Sequence, residues 1–158
     1  MLTTEQLQAL KADIAADPAF EDVPHNSDGA DLIAKVYCLE AVPAWYVWKT
    51  SVLTEKCKEV MDWVEFIGLG VGERDGWKFM LSNGKIDPSK INVRQGIADI
   101  FSGPQGVENR TALIAIAKRL ANRIEKLLSI GTGSEMVPAT MTHEGSINYR
   151  TVLDAWNT

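Results

Sequence analysis

The sequence predicts a mainly α-helical single domain, with a long C-terminal helix at about residues 107–130 followed by an extended arm or hairpin. Three observations lead to this prediction. Capping residues precede several stretches whose apolar residues recur at helical spacing. One apolar stripe continues for about six turns, and Gly131 is placed as its C-cap. Beyond that glycine, a tract rich in threonine and small residues lacks helical spacing.

The first part of the chain contains two predicted helices and an extended stretch. Thr3 and Gln6 form a capping box, in which each side chain satisfies a backbone donor at the start of a helix. Asn26 or Ser27 begins the second helix. Pro43 prevents a helix from continuing through it, and the residues that follow are aromatic and β-branched. We therefore expect that segment to be extended.

The second part begins with three short predicted helices. Thr54 begins the first, and "ERDGWKFML" is read as the second, after a series of glycines. Asn92 and Gln95 form another capping box at the start of the third. The long helix comes next, and its stripe consists of Leu113, Ile116, Ala117, Leu120, Ile124, Leu127 and Leu128. We predict a helical core domain of residues 1–130 and a C-terminal arm of residues 131–158.

Composition limits the class of protein. The chain has 158 residues and a net charge of −5, which disfavours binding of nucleic acid or anionic membrane by the whole surface. Two cysteines, Cys38 and Cys57, are too few for a disulfide scaffold, so we expect reduced thiols in or near the core. Neither a signal peptide nor a membrane-spanning stretch is recognised, so we expect a soluble protein without membrane contact.

No motif predicts catalysis, a cofactor or a metal. "GLGVGERDG" has Glu73 where a dinucleotide fingerprint needs its third glycine. His25 and His143 are far apart, and neither lies in a spacing typical of zinc ligands. Ser134 and Ser146 lie near His143 in sequence but outside a nucleophile elbow. The sequence therefore predicts no catalytic, cofactor-binding or metal-binding residue, and a protein that is not an enzyme.

Charge and aromatic residues instead indicate contact with other molecules. The predicted long helix has a net charge of +3, which leaves −8 for the remainder of the chain. Its basic face could meet another subunit, remain solvated, or contact DNA phosphates. Tryptophans on an extended segment also favour an interface. The predicted interface residues are Trp45, Trp48, Arg119, Arg123, Lys126, Met136, Pro138, Met141, Ile147 and Tyr149.

Short blocks spread over about residues 3–156 resemble a family of small virion proteins of tailed bacteriophages. They are "TTEQLQALKADIAADPAF", "HNSDGADLIA", "VWKTSV", "INVRQGIADIFSG", "KRLANRIEKLLSIGTGS" and "PATMTHEGSINYRTV". Some members of that family look like head–tail joining or adaptor proteins. The resemblance implies a small, mainly helical subunit of a connector ring between portal and tail, without a catalytic motif to carry over.

This resemblance sets the functional expectation. It implies a structural protein that is made in the bacterial host cytoplasm and resides in the virion neck, where its partners are other copies of itself, the portal protein and tail proteins. DNA in the channel is a further potential contact. We expect residues 131–150 to dock on a neighbouring subunit, and the alternative is an arm folded back on its own helices. Two other functions stay open, namely a phage assembly factor or capsid-associated accessory protein, and a small host-directed binding module.

Overall fold

Short helices make up most of the structure, a computed structural model that describes residues 1–158. The α-helices are α1 (Thr4–Ala16), α2 (Ser27–Tyr37), α3 (Thr54–Glu59), α4 (Trp63–Gly68), α5 (Val71–Leu81), α6 (Ile91–Ile100), α7 (Val107–Ala117), α8 (Arg123–Leu127) and α9 (Tyr149–Asn157). The strands are β1 (Tyr46–Trp48), β2 (Val52–Leu53), β3 (Lys85–Ile86), β4 (Lys118–Leu120), β5 (Ser129–Ile130) and β6 (Thr140–Met141). The predicted mainly α class is confirmed.

The chain divides into two compact units. Unit 1 consists of Met1–Val47 together with Leu120–Thr158, and unit 2 consists of Trp48–Arg119. The division differs from the predicted one, because residues 131–158 share a core with the N-terminal helices. Whether any of these residues also contacts a neighbouring subunit stays a prediction.

The core of unit 1 lies among α1, α2 and α9. Leu10, Ile33 and Val152 come from these three helices and are fully buried. The helices begin where the local chemistry favours it. Thr3 and Gln6 form the predicted capping box of α1, and the Asn26 side chain accepts hydrogen bonds at the start of α2 as predicted.

A second, smaller cluster in unit 1 is built on extended backbone. Its buried residues are Val47, Ala121 and Ala139. The Ala121 amide donates to the Trp45 carbonyl at 2.8 Å, and the Ala139 amide donates to the Tyr46 carbonyl at the same distance. Strands β5 and β6 pair antiparallel beside it. These bonds satisfy backbone groups that short strands otherwise leave without partners.

Unit 2 encloses its own core. Trp77 is almost completely buried and packs edge-on against Phe101, with ring centroids 5.3 Å apart. Ile97 and Leu113 add further apolar surface to this cluster. Strands β2 and β3 pair antiparallel, although α3, α4 and α5 lie between them in the chain. A buried tryptophan removes a large apolar area from water, so this cluster stabilises unit 2.

The prediction of one long helix over residues 107–130 is wrong. Helix α7 ends at Ala117, and Lys118 has extended backbone with φ −115° and ψ 161°. A new helix, α8, starts after Asn122, whose side chain accepts from the Glu125 amide at 2.9 Å. The Glu125 carboxylate accepts from the Asn122 amide in return at 3.1 Å. This capping box begins α8 as a helix separate from α7.

The apolar stripe of the predicted long helix therefore serves two cores. Leu113 and Ala117 are buried in unit 2, whereas Ile124 and Leu128 are buried in unit 1. The part before Lys118 needs apolar residues for the core of unit 2, and the part after Leu120 needs them for the core of unit 1. The helical spacing therefore runs through residues 118–120, although their backbone is extended. The continuous basic face expected on that helix does not form.

Two smaller outcomes concern the remaining helices. The second predicted capping box is wrong, because α6 begins at Ile91 and its N-cap, Lys90, makes no side-chain cap bond. The predicted helix after the glycines is confirmed as α5. None of the helices combines the length and apolar character that spanning a bilayer requires.

Candidate functional site

A groove of about 690 Å³ opens on the surface of unit 1. Its walls come from α1, α2, the loop after α2 and α8. Three of the predicted interface residues, Trp45, Arg123 and Lys126, line it together. Since these residues are up to about eighty positions apart in sequence, their convergence is a property of the fold.

Arg123 forms two ion pairs in this groove. One guanidinium nitrogen lies 2.9 Å from the Asp13 carboxylate, and another lies 2.7 Å from the Asp17 carboxylate. The guanidinium also lies over the rings of Tyr37, at 4.4 Å, and Phe20, at 5.3 Å. Its charge is therefore compensated within unit 1, and planar stacking fixes its orientation.

The electrostatics of this cluster follow from those contacts. The pKa of Asp17 is lowered, first by a hydrogen bond from the Ala19 amide and then by Arg123. The pKa of the Tyr37 hydroxyl is raised by burial and by its hydrogen bond to Asp13. The pKa of Arg123 is raised by its two carboxylate partners, which outweigh the effect of burial. The cluster supports the groove wall, with one guanidinium set between two carboxylates.

Trp45 forms another wall of the groove. Its indole nitrogen donates to the Ser129 hydroxyl at 3.0 Å, and the Lys126 ammonium lies 5.4 Å from its ring centroid. The Gly133 backbone packs directly against the ring, so closely that a Cβ atom on this residue would lie only 2.0 Å from an indole carbon. The ring is therefore held in one position, and one of its edges stays partly exposed to the groove.

Two apolar residues stand exposed at the groove. Leu39 is 64% exposed and Val42 is 91% exposed, and both line it. Hydrogen bonds fix their backbone, because the Arg123 amide donates to the Leu39 carbonyl at 2.9 Å and the Lys126 ammonium donates to the Val42 carbonyl at 3.3 Å. The Val42–Pro43 peptide is cis. The two hydrogen bonds hold the backbone so that both side chains face water in a fixed arrangement.

An exposed loop follows the groove in sequence. It covers residues 131–137, and its turn is closed by the Val137 amide donating to the Ser134 hydroxyl at 3.0 Å. The Thr132 hydroxyl donates to the Val137 carbonyl, also at 3.0 Å. Met136 is 89% exposed, and Val137 beside it is also exposed. The loop therefore displays apolar side chains on a closed turn.

The other predicted interface residues lie elsewhere. Trp48 is buried in unit 2 beneath the Arg94 guanidinium, and Arg119 is half-buried in β4. Pro138 and Ile147 are buried within unit 1. Met141 is partly buried in β6, and Tyr149 is partly exposed at the start of α9. The predicted set is therefore only partly brought together.

Sequence reasoning did not single out the groove residues Asp13, Asp17, Leu39 and Val42. Asp13 and Asp17 carry no local signal of an ion pair, because their partner Arg123 lies more than one hundred positions away. Leu39 and Val42 carry no sequence signal of exposure, because apolar residues at a helix end are usually buried. Only Pro43 marks that stretch as unusual.

The two histidines occupy different surroundings. His25 stacks on Trp156 with ring centroids 4.4 Å apart. His143 has a buried Nε2 atom without a hydrogen-bond partner, and burial lowers its pKa. No group of three or more His, Cys, Asp or Glu side chains is arranged to hold a metal ion.

Searches against protein-family models, curated proteins and solved structures find no match to this chain.

Proposed function

We propose that the protein is a structural subunit of a tailed-phage particle. It sits at the head–tail connector and joins the portal to the tail as one member of a ring of copies. The observation that carries the proposal is the groove of unit 1, at which Leu39 and Val42 are held exposed on a fixed backbone. The family resemblance of the sequence blocks supplies the particle and the position in it.

The energetics of the groove favour a protein partner. Burying an exposed leucine or valine completely stabilises a complex by about 1.5–3 kcal/mol. Because the loop after α2 is held by hydrogen bonds, little conformational entropy is lost when a partner covers it. The ion pairs of Arg123 are satisfied within the unit, so a partner does not have to replace them.

The occupant of the groove is another copy of the chain. The exposed loop at residues 131–137 offers Met136 and Val137, whose apolar side chains would pack on Leu39 and Val42 of the groove. Met136 and Val137 do not line the groove, so their contact with the groove of another copy is heterologous. Repeated about a closed axis, a heterologous contact generates a ring.

Purified particles of the phage that encodes the chain provide the test. Quantitative mass spectrometry should find about one copy of the chain for each portal subunit. Near-complete absence from the particle refutes the connector and moves the chain to an assembly factor or a host-directed module.

Two variants test the groove itself. Val42→Asp and Met136→Asp each place a charge in the proposed contact and should each abolish incorporation when supplied in place of the natural chain. Leu32→Asp is the matched control, because Leu32 is exposed in the same unit but does not line the groove. Normal incorporation of both Val42→Asp and Met136→Asp contradicts the proposed contact, even if the copy number in particles is as expected.

A further inference from the structure

Helix α4 of unit 2 exposes an unusually apolar surface. It contains no buried residue. Trp63 is 52% exposed, Val64 is 83% exposed, and Ile67 one turn later is also largely exposed. Large apolar residues that are exposed together on one surface often mark an interaction site. We call Trp63, Val64 and Ile67 the α4 surface.

Polar contacts of Asp62 and Glu65 hold this helix in place. The Asp62 side chain accepts from the Glu65 amide at 2.7 Å. The Glu65 carboxylate accepts from the amides of Glu108 and Asn109, at 3.1 and 2.7 Å. The buried Asn109 side chain bonds both the amide and the carbonyl of Asp62. Phe66 of α4 also packs against the core of unit 2. The α4 surface is therefore preorganised.

A groove of about 660 Å³ adjoins the α4 surface and is locally acidic. Val64, Pro104 and Val107 provide its apolar lining, and Glu65 and Glu108 are among its three carboxylates. None of its lining residues is basic. Unit 2 as a whole has eleven Lys and Arg against nine Asp and Glu. The negative charge here is thus a local feature of a unit that is net positive.

Apolar side chains beside carboxylates define the partner. We propose that the α4 surface and its groove bind a cationic amphipathic helix of a partner protein. The apolar face of that helix packs on Trp63, Val64 and Ile67, and its Lys or Arg residues lie beside Glu108 and Glu65. This is the helix-in-groove mode of recognition, with charge complementarity setting partner choice. The site is in unit 2 and is independent of the contact proposed for unit 1.

A synthetic peptide tests the proposal directly. The probe is a fluorescently labelled helical peptide of about four turns, with Leu on one face and Lys on the other. Its anisotropy is measured with the full-length chain at low and at physiological salt. We expect saturable binding that weakens with salt, and no binding by a peptide in which Glu replaces every Lys. Equal binding of the two peptides overturns the charge argument.

The decisive variant is Val64→Asp. It adds negative charge, so simple attraction between a cationic peptide and an acidic protein would become stronger. Docking on the α4 surface instead predicts about tenfold weaker binding, which corresponds to the lost burial of one valine. Ile91→Asp is the matched control, because it also replaces an exposed apolar residue by Asp, but on α6. The affinity of this variant for the cationic peptide should not fall.

Further outcomes separate the alternatives. Glu108→Gln should weaken binding about two- to threefold and reduce its salt dependence, because one rim charge is removed. Unchanged or stronger binding by Val64→Asp overturns the proposal. A third result would also overturn the proposal. In that case the natural chain does not bind the peptide but self-associates with rising concentration, and Val64→Asp abolishes the self-association. The α4 surface would then be assigned to contact with a second copy.

Discussion

Replacing Gly133 by alanine should destabilise unit 1 because the substitution has two separate costs. Gly133 has φ +61°, in the left-handed region that residues with a Cβ atom disfavour. A Cβ atom there would also lie 2.0 and 2.1 Å from two carbons of the Trp45 indole and 2.5 Å from its nitrogen. The ring cannot avoid this contact without losing its hydrogen bond to Ser129.

The magnitude can be divided between these two costs. Placing alanine in the left-handed region costs about 1–2 kcal/mol. Overpacking against a fixed ring costs about another 1–3 kcal/mol. The free energy of unfolding of unit 1 should therefore fall by about 2–5 kcal/mol. Gly84→Ala is the control, because Gly84 has φ +73° and no atom within 4 Å of the new Cβ. It should cost about 1–2 kcal/mol alone.

Hydrogen exchange followed by mass spectrometry across a urea series measures both variants. Peptides from residues 1–47 and 120–158 report on unit 1, and peptides from 48–119 report on unit 2. Gly133→Ala should lower the urea midpoint of unit 1 by more than Gly84→Ala lowers that of unit 2. Equal losses in free energy would show that the Trp45 ring moves aside at no cost, and would refute the close packing argued here.

Three further predictions concern other parts of the molecule. Glu125→Ala should cost about 2–4 kcal/mol of unfolding free energy, because two amide donors lose a nearly buried acceptor, and urea titration should show a smaller loss for Glu125→Gln. The pKa of Asp17 is lower in the folded state, so its contribution to stability is complete above about pH 4 and is lost as pH falls through the folded-state pKa. Acid titration of Asp17→Asn should therefore show a shallower loss of stability between about pH 5 and 2, and an unchanged slope would contradict the assignment. Iodoacetamide should label Cys38 well before Cys57, whose burial raises its pKa to about 11, and comparable labelling rates in a peptide map would contradict this.

Signals that act within one turn were readable from the sequence. The capping box of Thr3 and Gln6 and the N-cap Asn26 need only neighbouring residues, so α1 and α2 were predicted correctly. The long helix failed because apolar spacing records burial without recording which core buries each residue. The capping box of Asn122 and Glu125 was present in the sequence, but the continuous stripe concealed it.

The groove was less accessible to sequence reasoning because its interactions are long-range. Trp45, Arg123 and Lys126 were chosen for their residue type, and the fold brings them together. The pairing of Arg123 with Asp13 depends on how α8 meets α1, which no local pattern specifies. The exposure of Val42 likewise follows from the backbone hydrogen bonds around it.

The insertion of unit 2 between the two segments of unit 1 imposes an order on folding during synthesis. The residues of unit 2 are contiguous, so its core can close on the ribosome once α7 has emerged. Unit 1 cannot do so, because α1 and α2 need α9, which is made about 110 residues after α2 ends. At about 5–20 residues per second, the nascent chain carries Leu10 and Ile33 uncovered for roughly 5–20 s. During that interval the N-terminal helices are a natural substrate for chaperones.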